Sequence, residues 1–219
     1  MTAGLQLLVE ARAHGAALER LAAVLAVHDV PVVQLVPAPG ETLSAQVVLP
    51  FVAVGQEHGA AVLLTDHAEL ARTVRADGVH LTGSDDVVGR YATARDILGT
   101  RFIVGADARA SRHDAMLLGE AGADYVAFGL ANSADDHAFA ADVRLDLVTW
   151  WADIFEPPVV AADAVDVDEA GELAAAGADF VAVALPMGLN PANSVAFVAA
   201  ALAAIGPPAA IADRGEAYE

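Results

Sequence analysis

The chain contains neither cysteine nor lysine. Without cysteine there are no disulfides and no thiolate zinc sites, which fits a reducing compartment and leads us to expect a cytoplasmic protein. Without lysine there is no side-chain Schiff base and no lysine to hold a phosphate. All 11 basic residues are arginine, against 30 acidic ones, giving a net charge of -19 over 219 residues. An acidic chain of this kind repels nucleic acid and anionic membrane, so neither is an expected partner. Long hydrophobic runs are also missing. The most apolar stretch, Val195 to Ile205, falls well short of the roughly 20 residues that span a bilayer, and reads as an alanine-rich helix. The opening MTAGLQLLVEARAHG has no basic segment leading into an apolar core, so no signal peptide is expected. The polar tail, residues 212–219, is expected to fray, leaving one domain over residues 1–211.

What the chain does have is alternation. Short apolar runs recur at Leu5–Val9, Val32–Val36, Ala61–Leu64, Gly78–Leu81, Phe102–Gly105, Tyr125–Gly129, Val159–Ala162 and Phe180–Ala184. Nearly continuous apolar character at that length fits parallel strands buried on both faces; Gln6, Gln34 and His80 are the polar exceptions. Helical segments lie between them, including Ala16–Val27, Leu43–His58, Ala68–Val74, Ser111–Ala121, Asp168–Ala176 and Asn193–Ile205. Asp66, Ser84, Ser111, Asp166 and Asn193 stand where helices should start, and Gly122 and Gly177 where they should stop. A weak repeat, Ala-Asp-x-Val, recurs at residues 76–79, 123–126 and 178–181, each time where a helix gives way to a strand. Eight strand–helix units with right-handed crossovers predict an α/β fold, a single closed (β/α)₈ TIM barrel. An open doubly wound sheet is the alternative, weakened by the lack of a Gly-x-Gly-x-x-Gly after the first strand.

Function on such a barrel sits in the loops that follow the strands. The loop in RADGVHLTGSDD, residues 75–86, ends in two aspartates and is either a metal and phosphate site or an acidic helix cap. Together with Val33-Gln34-Leu35, Leu64-Thr65-Asp66, Asp77-Gly78-Val79-His80-Leu81 and Gly122-Ala123-Asp124-Tyr125-Val126-Ala127-Phe128-Gly129, it makes the chain resemble the thiamine phosphate synthase family, which includes related thiazole tautomerases. The resemblance implies a transferase of thiamine biosynthesis that joins hydroxymethylpyrimidine pyrophosphate to thiazole phosphate. It implies Mg2+ held by Asp66 and Asp85, a pair of hard carboxylate ligands that suits that ion. It places Gln34 against the pyrimidine, and Thr65, Asp107, Gly129, Asn132 and Ser133 around the ligand. A homodimer is a further family expectation.

Several positions depart from the family pattern. Val36 and Ala38 replace the two cations expected after the second strand. Asp107 stands where a serine is expected. Ala134 and Asp136 replace threonines, and His137 replaces a lysine. Ala162-Asp163-Ala164 stands where a Gly-Gly turn would hold a phosphate, and Leu130 where the tautomerase histidine would be. The rim thereby loses cations and carries Asp107, Asp135, Asp136 and Asp163. We expect pyrophosphate, with about three negative charges, to be poorly held there.

Three functions follow as expectations: the family transferase; a relative that has lost catalysis and binds a less anionic small molecule at the same mouth; or a different barrel lyase or isomerase with His80 or His137 as its base. The residues also allow plainer roles: helix capping for Asp66 and Asp85, a hydrogen-bonded core position for His80, a solvated loop for Asp135, Asp136 and His137, and helix packing for Trp150 and Trp151. Arg109 and Arg112 are the cations expected nearest the mouth.

Overall fold

The computed structural model describes residues 3–12, 16–130 and 137–206. Eight strands alternate with eight helices in these residues: β1 Gly4–Ala11, α1 Ala16–Leu25, β2 Val32–Pro37, α2 Ala45–Glu57, β3 Ala61–Thr65, α3 Ala68–Val74, β4 Gly78–Leu81, α4 Val87–Leu98, β5 Ile103–Asp107, α5 Arg112–Glu120, β6 Tyr125–Phe128, α6 His137–Ile154, β7 Val159–Ala164, α7 Val167–Ala175, β8 Phe180–Ala184 and α8 Pro191–Ile205. The strands pair in parallel in chain order, and β8 returns to β1 to close the barrel. This is the expected (β/α)₈ architecture; the open sheet is excluded. The polar tail expected to fray lies outside the described residues. No helix among the described residues is long and apolar enough to cross a membrane.

Strand alternation sorts the side chains into two layers. One parity, including Leu5, Leu7, Val33, Leu64, Val79, Val104, Val126 and Val181, packs outward against the helices in the larger core. The other fills the barrel with a smaller cluster of Leu63, Tyr125, Ala127, Val160, Ala162 and Ala182. Trp151 on α6 is fully buried, donates from Nε1 to the Pro157 carbonyl at 2.8 Å and meets Phe128 edge-on. The packing role expected of it holds. Trp150 lies under the Arg112 guanidinium, 4.7 Å from the ring centre, which also places Arg112 against a helix rather than in the mouth.

The Ala-Asp-x-Val repeat has a structural meaning. Asp77, Asp124 and Asp179 each donate a backbone N–H to the carbonyl of a residue on the preceding strand: Val62, Val104 and Val159. Each also accepts that same residue's N–H on its carboxylate, at 2.8, 2.7 and 2.8 Å. The floor of the barrel is thus pinned by one two-bond clamp repeated at β3/β4, β5/β6 and β7/β8.

Helix starts agree with the sequence at Ser111 and Asp166, which accept N–H bonds from Asp114 and Glu169. They differ at three places. The cap of α3 is His67, because Asp66 turns left-handed (φ 58°) and points elsewhere. The cap of α4 is Asp86 rather than Ser84. Asn190 rather than Asn193 caps α8, since Pro191 suits the first helical turn and lets the helix begin earlier.

A candidate ligand site at the barrel mouth

The inward-facing parity becomes polar toward the C-terminal ends of the strands. Gln6, Gln34, Thr65 and His80 are buried there, at 1, 4, 7 and 5% exposure. Gln6 donates to Gln34 Oε1 at 2.6 Å, and Gln34 donates to Thr65 Oγ1 at 2.9 Å. His80 Nδ1 and the Tyr125 hydroxyl are 2.8 Å apart, their rings stacked. Buried polar groups need such partners, and these side chains form two hydrogen-bonded groups inside the barrel, Gln6–Gln34–Thr65 and His80–Tyr125.

Burial pushes the Tyr125 phenol up, so it keeps its proton. Burial pushes His80 down to about 4, outweighing the opposing pull of Asp66. Nε2 has no hydrogen-bond partner among the described residues. His80 is thus a neutral imidazole at neutral pH.

Above this floor lies a cavity of about 370 Å³, lined by Gln34, Thr65, His80, Asp107, Arg109 and Asp163 among others. Three of the expected ligand residues, Gln34, Thr65 and Asp107, therefore meet in one place. Gly129 stands at the same wall, where an added Cβ would come within 2.7 Å of Asp163 Oδ2 and 2.9 Å of Asp107 Oδ2. Asn132, Ser133, Asp135, Asp136 and the side chain of His137 lie outside the described residues.

Asp107 is half-buried. Its Oδ1 accepts the Arg109 N–H at 2.7 Å and the Gly129 N–H at 3.1 Å. Burial raises this carboxyl to about 6, against those two N–H groups and with a smaller push from the Asp163 charge. Asp163 is exposed and reaches the cavity by an irregularity: the β7–β8 register shifts between Ala161 and Ala164, and Asp163 is left-handed (φ 59°). Strict alternation would have turned it outward. Its Oδ2 accepts the Leu130 N–H at 3.0 Å.

Asp66 and Asp85, the expected magnesium ligands, both stand at the mouth, each bound to a guanidinium. Asp66 accepts Thr82 N–H at 2.8 Å and Thr82 Oγ1 at 2.5 Å, and pairs with Arg90. Asp85, fully exposed, pairs with Arg109 at 2.6 Å. Two carboxylates are chemically suited to magnesium, but both already carry a positive partner. No group of three or more His, Asp or Glu suited to a metal occurs among the described residues. Arg90, which the sequence reading did not single out, bridges Asp66, the Thr82 carbonyl and Ser84. A second, wider groove of about 570 Å³ between α3 and α4 runs past Asp66 and Arg90.

Two titrations at this site oppose each other. The unfolded chain protonates histidine below about 6.5 while folded His80 waits until about 4, so His80 costs stability as pH falls through that window, by up to about 3 kcal/mol. Folded Asp107 holds its proton up to about 6, whereas the unfolded chain releases it near 3.8; its contribution is present below 3.8 and lost as pH rises through 6. We expect Asp107→Asn, which keeps the acceptor and removes the charge, to be more stable than the parent at pH 7.5 by about 2 kcal/mol. That gain should vanish near pH 4. Thermal melts at the two pH values measure it, and an equal gain at both would refute the ionisation account.

Comparison with known proteins bears on the family and the fold. A family model described as thiamine monophosphate synthase matches residues 5–186. The thiamine-phosphate synthase of Rhodospirillum centenum is 39% identical over 183 residues, covering 82% of this chain and 86% of that one. The thiamine-phosphate synthase of Erythrobacter litoralis is 42% identical, over 64% of this chain and 65% of its own, so that match spans less than two thirds of the relative. Among solved structures, a thiamine phosphate pyrophosphorylase from Pyrococcus furiosus superposes with a TM-score of 0.70 over 93% of this chain and 97% of its own, at 21% identity, which supports the fold.

Proposed function

The chain belongs to the thiamine monophosphate synthase family, and from that premise we propose that it is a thiamine phosphate synthase-like protein of thiamine biosynthesis whose mouth receives a heterocycle carrying little or no phosphate. The observation behind this reading is the state of the arginines. Arg12 pairs with Glu10, Arg90 with Asp66 and Arg109 with Asp85, so these guanidiniums are already neutralised by the protein. A free cation about 4 Å from a phosphate oxygen is worth roughly 4 kcal/mol at an effective dielectric near 20. A pyrophosphate here would forgo that attraction and face Asp107 and Asp163 instead. A planar ring with nitrogen donors and acceptors is better served. Gln34 and His80 Nε2 offer hydrogen bonds from the floor, and the free Oδ2 of Asp107 can accept one from an amino group.

The full transferase reaction is the second reading, favoured by Asp66, Asp85 and Gln34, which match the family's positions. Magnesium would have to take the two carboxylates from Arg90 and Arg109. The exchange would free both guanidiniums for a pyrophosphate, so metal and anion would enter together.

Calorimetry separates the two. We expect the aminopyrimidine alcohol to bind with a Kd below about 1 mM, and Gln34→Ala to weaken it at least tenfold, about 1.4 kcal/mol. Magnesium pyrophosphate should give no heat at the same concentrations. Saturable binding of magnesium pyrophosphate, together with thiamine phosphate formation that is lost in Asp85→Ala, would replace the first reading by the second.

A further inference from the structure

We infer that Asp107 and Asp163 set the charge selectivity of the mouth by acting as built-in anions, seated on backbone N–H groups that would otherwise receive a tetrahedral anion from a ligand. The inference rests on the reading that this cavity is the ligand site. Backbone amides converging at strand ends are natural anion receptors, because their partial positive charges are fixed in place and need no counter-ion. Three such amides line this wall. Those of Arg109 and Gly129 converge on Asp107 Oδ1, and that of Leu130 meets Asp163 Oδ2. The backbone is shaped for it: Arg109 and Asp163 both adopt left-handed φ, 53° and 59°, a conformation that costs non-glycine residues energy. The remaining oxygen, Asp107 Oδ2, crowds the space above the Gly129 α-carbon together with Asp163 Oδ2. The receptor is thus formed and already filled by the chain itself.

The same wall adjoins a floor prepared for a guest. His80 lines the cavity at 5% exposure, with one ring nitrogen bonded to Tyr125 and the other unpartnered among the described residues. An incoming sulfate or phosphate would meet two carboxylates before it met an amide. A neutral or amino-bearing ligand meets a matching acceptor. Removing the carboxylates should therefore invert the preference without rebuilding the loop. Glycine at 163 suits the left-handed backbone, so Asp163→Gly removes the charge with little strain.

The test uses sulfate, whose charge does not change between pH 5 and 9, and reads the backbone amide resonances of Arg109, Gly129 and Leu130 by NMR. The parent protein should show no saturable shift up to about 10 mM sulfate. The Asp107→Ala/Asp163→Gly variant should bind at least tenfold more tightly, with those three amides shifting together. If that variant does not fold, Asp107→Asn/Asp163→Asn keeps the acceptors while removing both charges, and should show the same trend with a smaller gain. Sulfate affinity equal to the parent's in a folded variant would overturn the inference, as would shifts confined to other amides. Aminopyrimidine binding by the parent, measured alongside, reports on the functional reading separately. A variant that gains sulfate while the parent ignores the pyrimidine would leave the selectivity assignment standing and that reading refuted.

Discussion

Replacing Arg144 by methionine is expected to destabilise the protein by about 3–5 kcal/mol, lowering the thermal midpoint by roughly 10 °C. Arg144 lies on α6 at 1% exposure, where a charge survives only if satisfied. One nitrogen donates to the carbonyls of Ala162 and Asp163, at 2.6 and 2.8 Å, and another pairs with Glu169, which in turn accepts the Val165 N–H at 2.7 Å. The arginine therefore holds the irregular end of β7 in the shape that presents Asp163 to the cavity. Methionine fills most of the volume but takes a donor from two carbonyls and leaves the Glu169 carboxylate without its positive partner. Adding Glu169→Gln should recover part of the loss by removing the stranded charge. Urea melts of the single and double variants measure both effects, and a single variant within 1 kcal/mol of the parent would show that β7 does not depend on this residue.

Gly105→Ala should be at least as damaging, at about 4 kcal/mol, and should act through one partner. A methyl at residue 105 would lie 2.0 Å from the Tyr125 ring, which packs flat against the glycine. Tyr125 is buried inside the barrel. It would move away from His80, breaking the 2.8 Å bond that orients the imidazole. Ligand affinity at the mouth should fall with stability. Combined with Tyr125→Ala, the Gly105→Ala substitution should cost under about 1 kcal/mol, because the clash is gone. Additive costs in that double-mutant cycle would refute the packing explanation.

The sequence carried the barrel clearly and the mouth partly, and the division has a physical basis. Parallel strands buried on both faces leave an unmistakable apolar rhythm, and even β4 and β6, with four residues each, were visible. Gln6, Gln34 and His80 stood out because a polar residue inside such a run must have a partner. Their partners came only with the fold: Gln34 for Gln6, Thr65 for Gln34 and Tyr125 for His80, each on another strand. Asp107 follows alternation and was legible as a mouth residue. Asp163 entered the list of rim acids, but its contact with the Leu130 amide depends on a register shift and a left-handed residue that no periodicity encodes. Arg144 went unremarked because an arginine on a helix ordinarily reads as surface. Asp66 reads as a magnesium ligand or a helix cap because it precedes a helical segment; its left-handed backbone hands the cap to His67 and turns the carboxylate toward Thr82 and Arg90.

The repeated aspartate clamps on the underside carry a last consequence. Asp77, Asp124 and Asp179 fasten neighbouring strands at the end opposite the cavity. Whatever happens among the upper loops, the strands cannot slip past one another. The scaffold can therefore tolerate wholesale exchange of its upper rim, trading guanidiniums for carboxylates and one clientele of guests for another, while its foundations stay bolted.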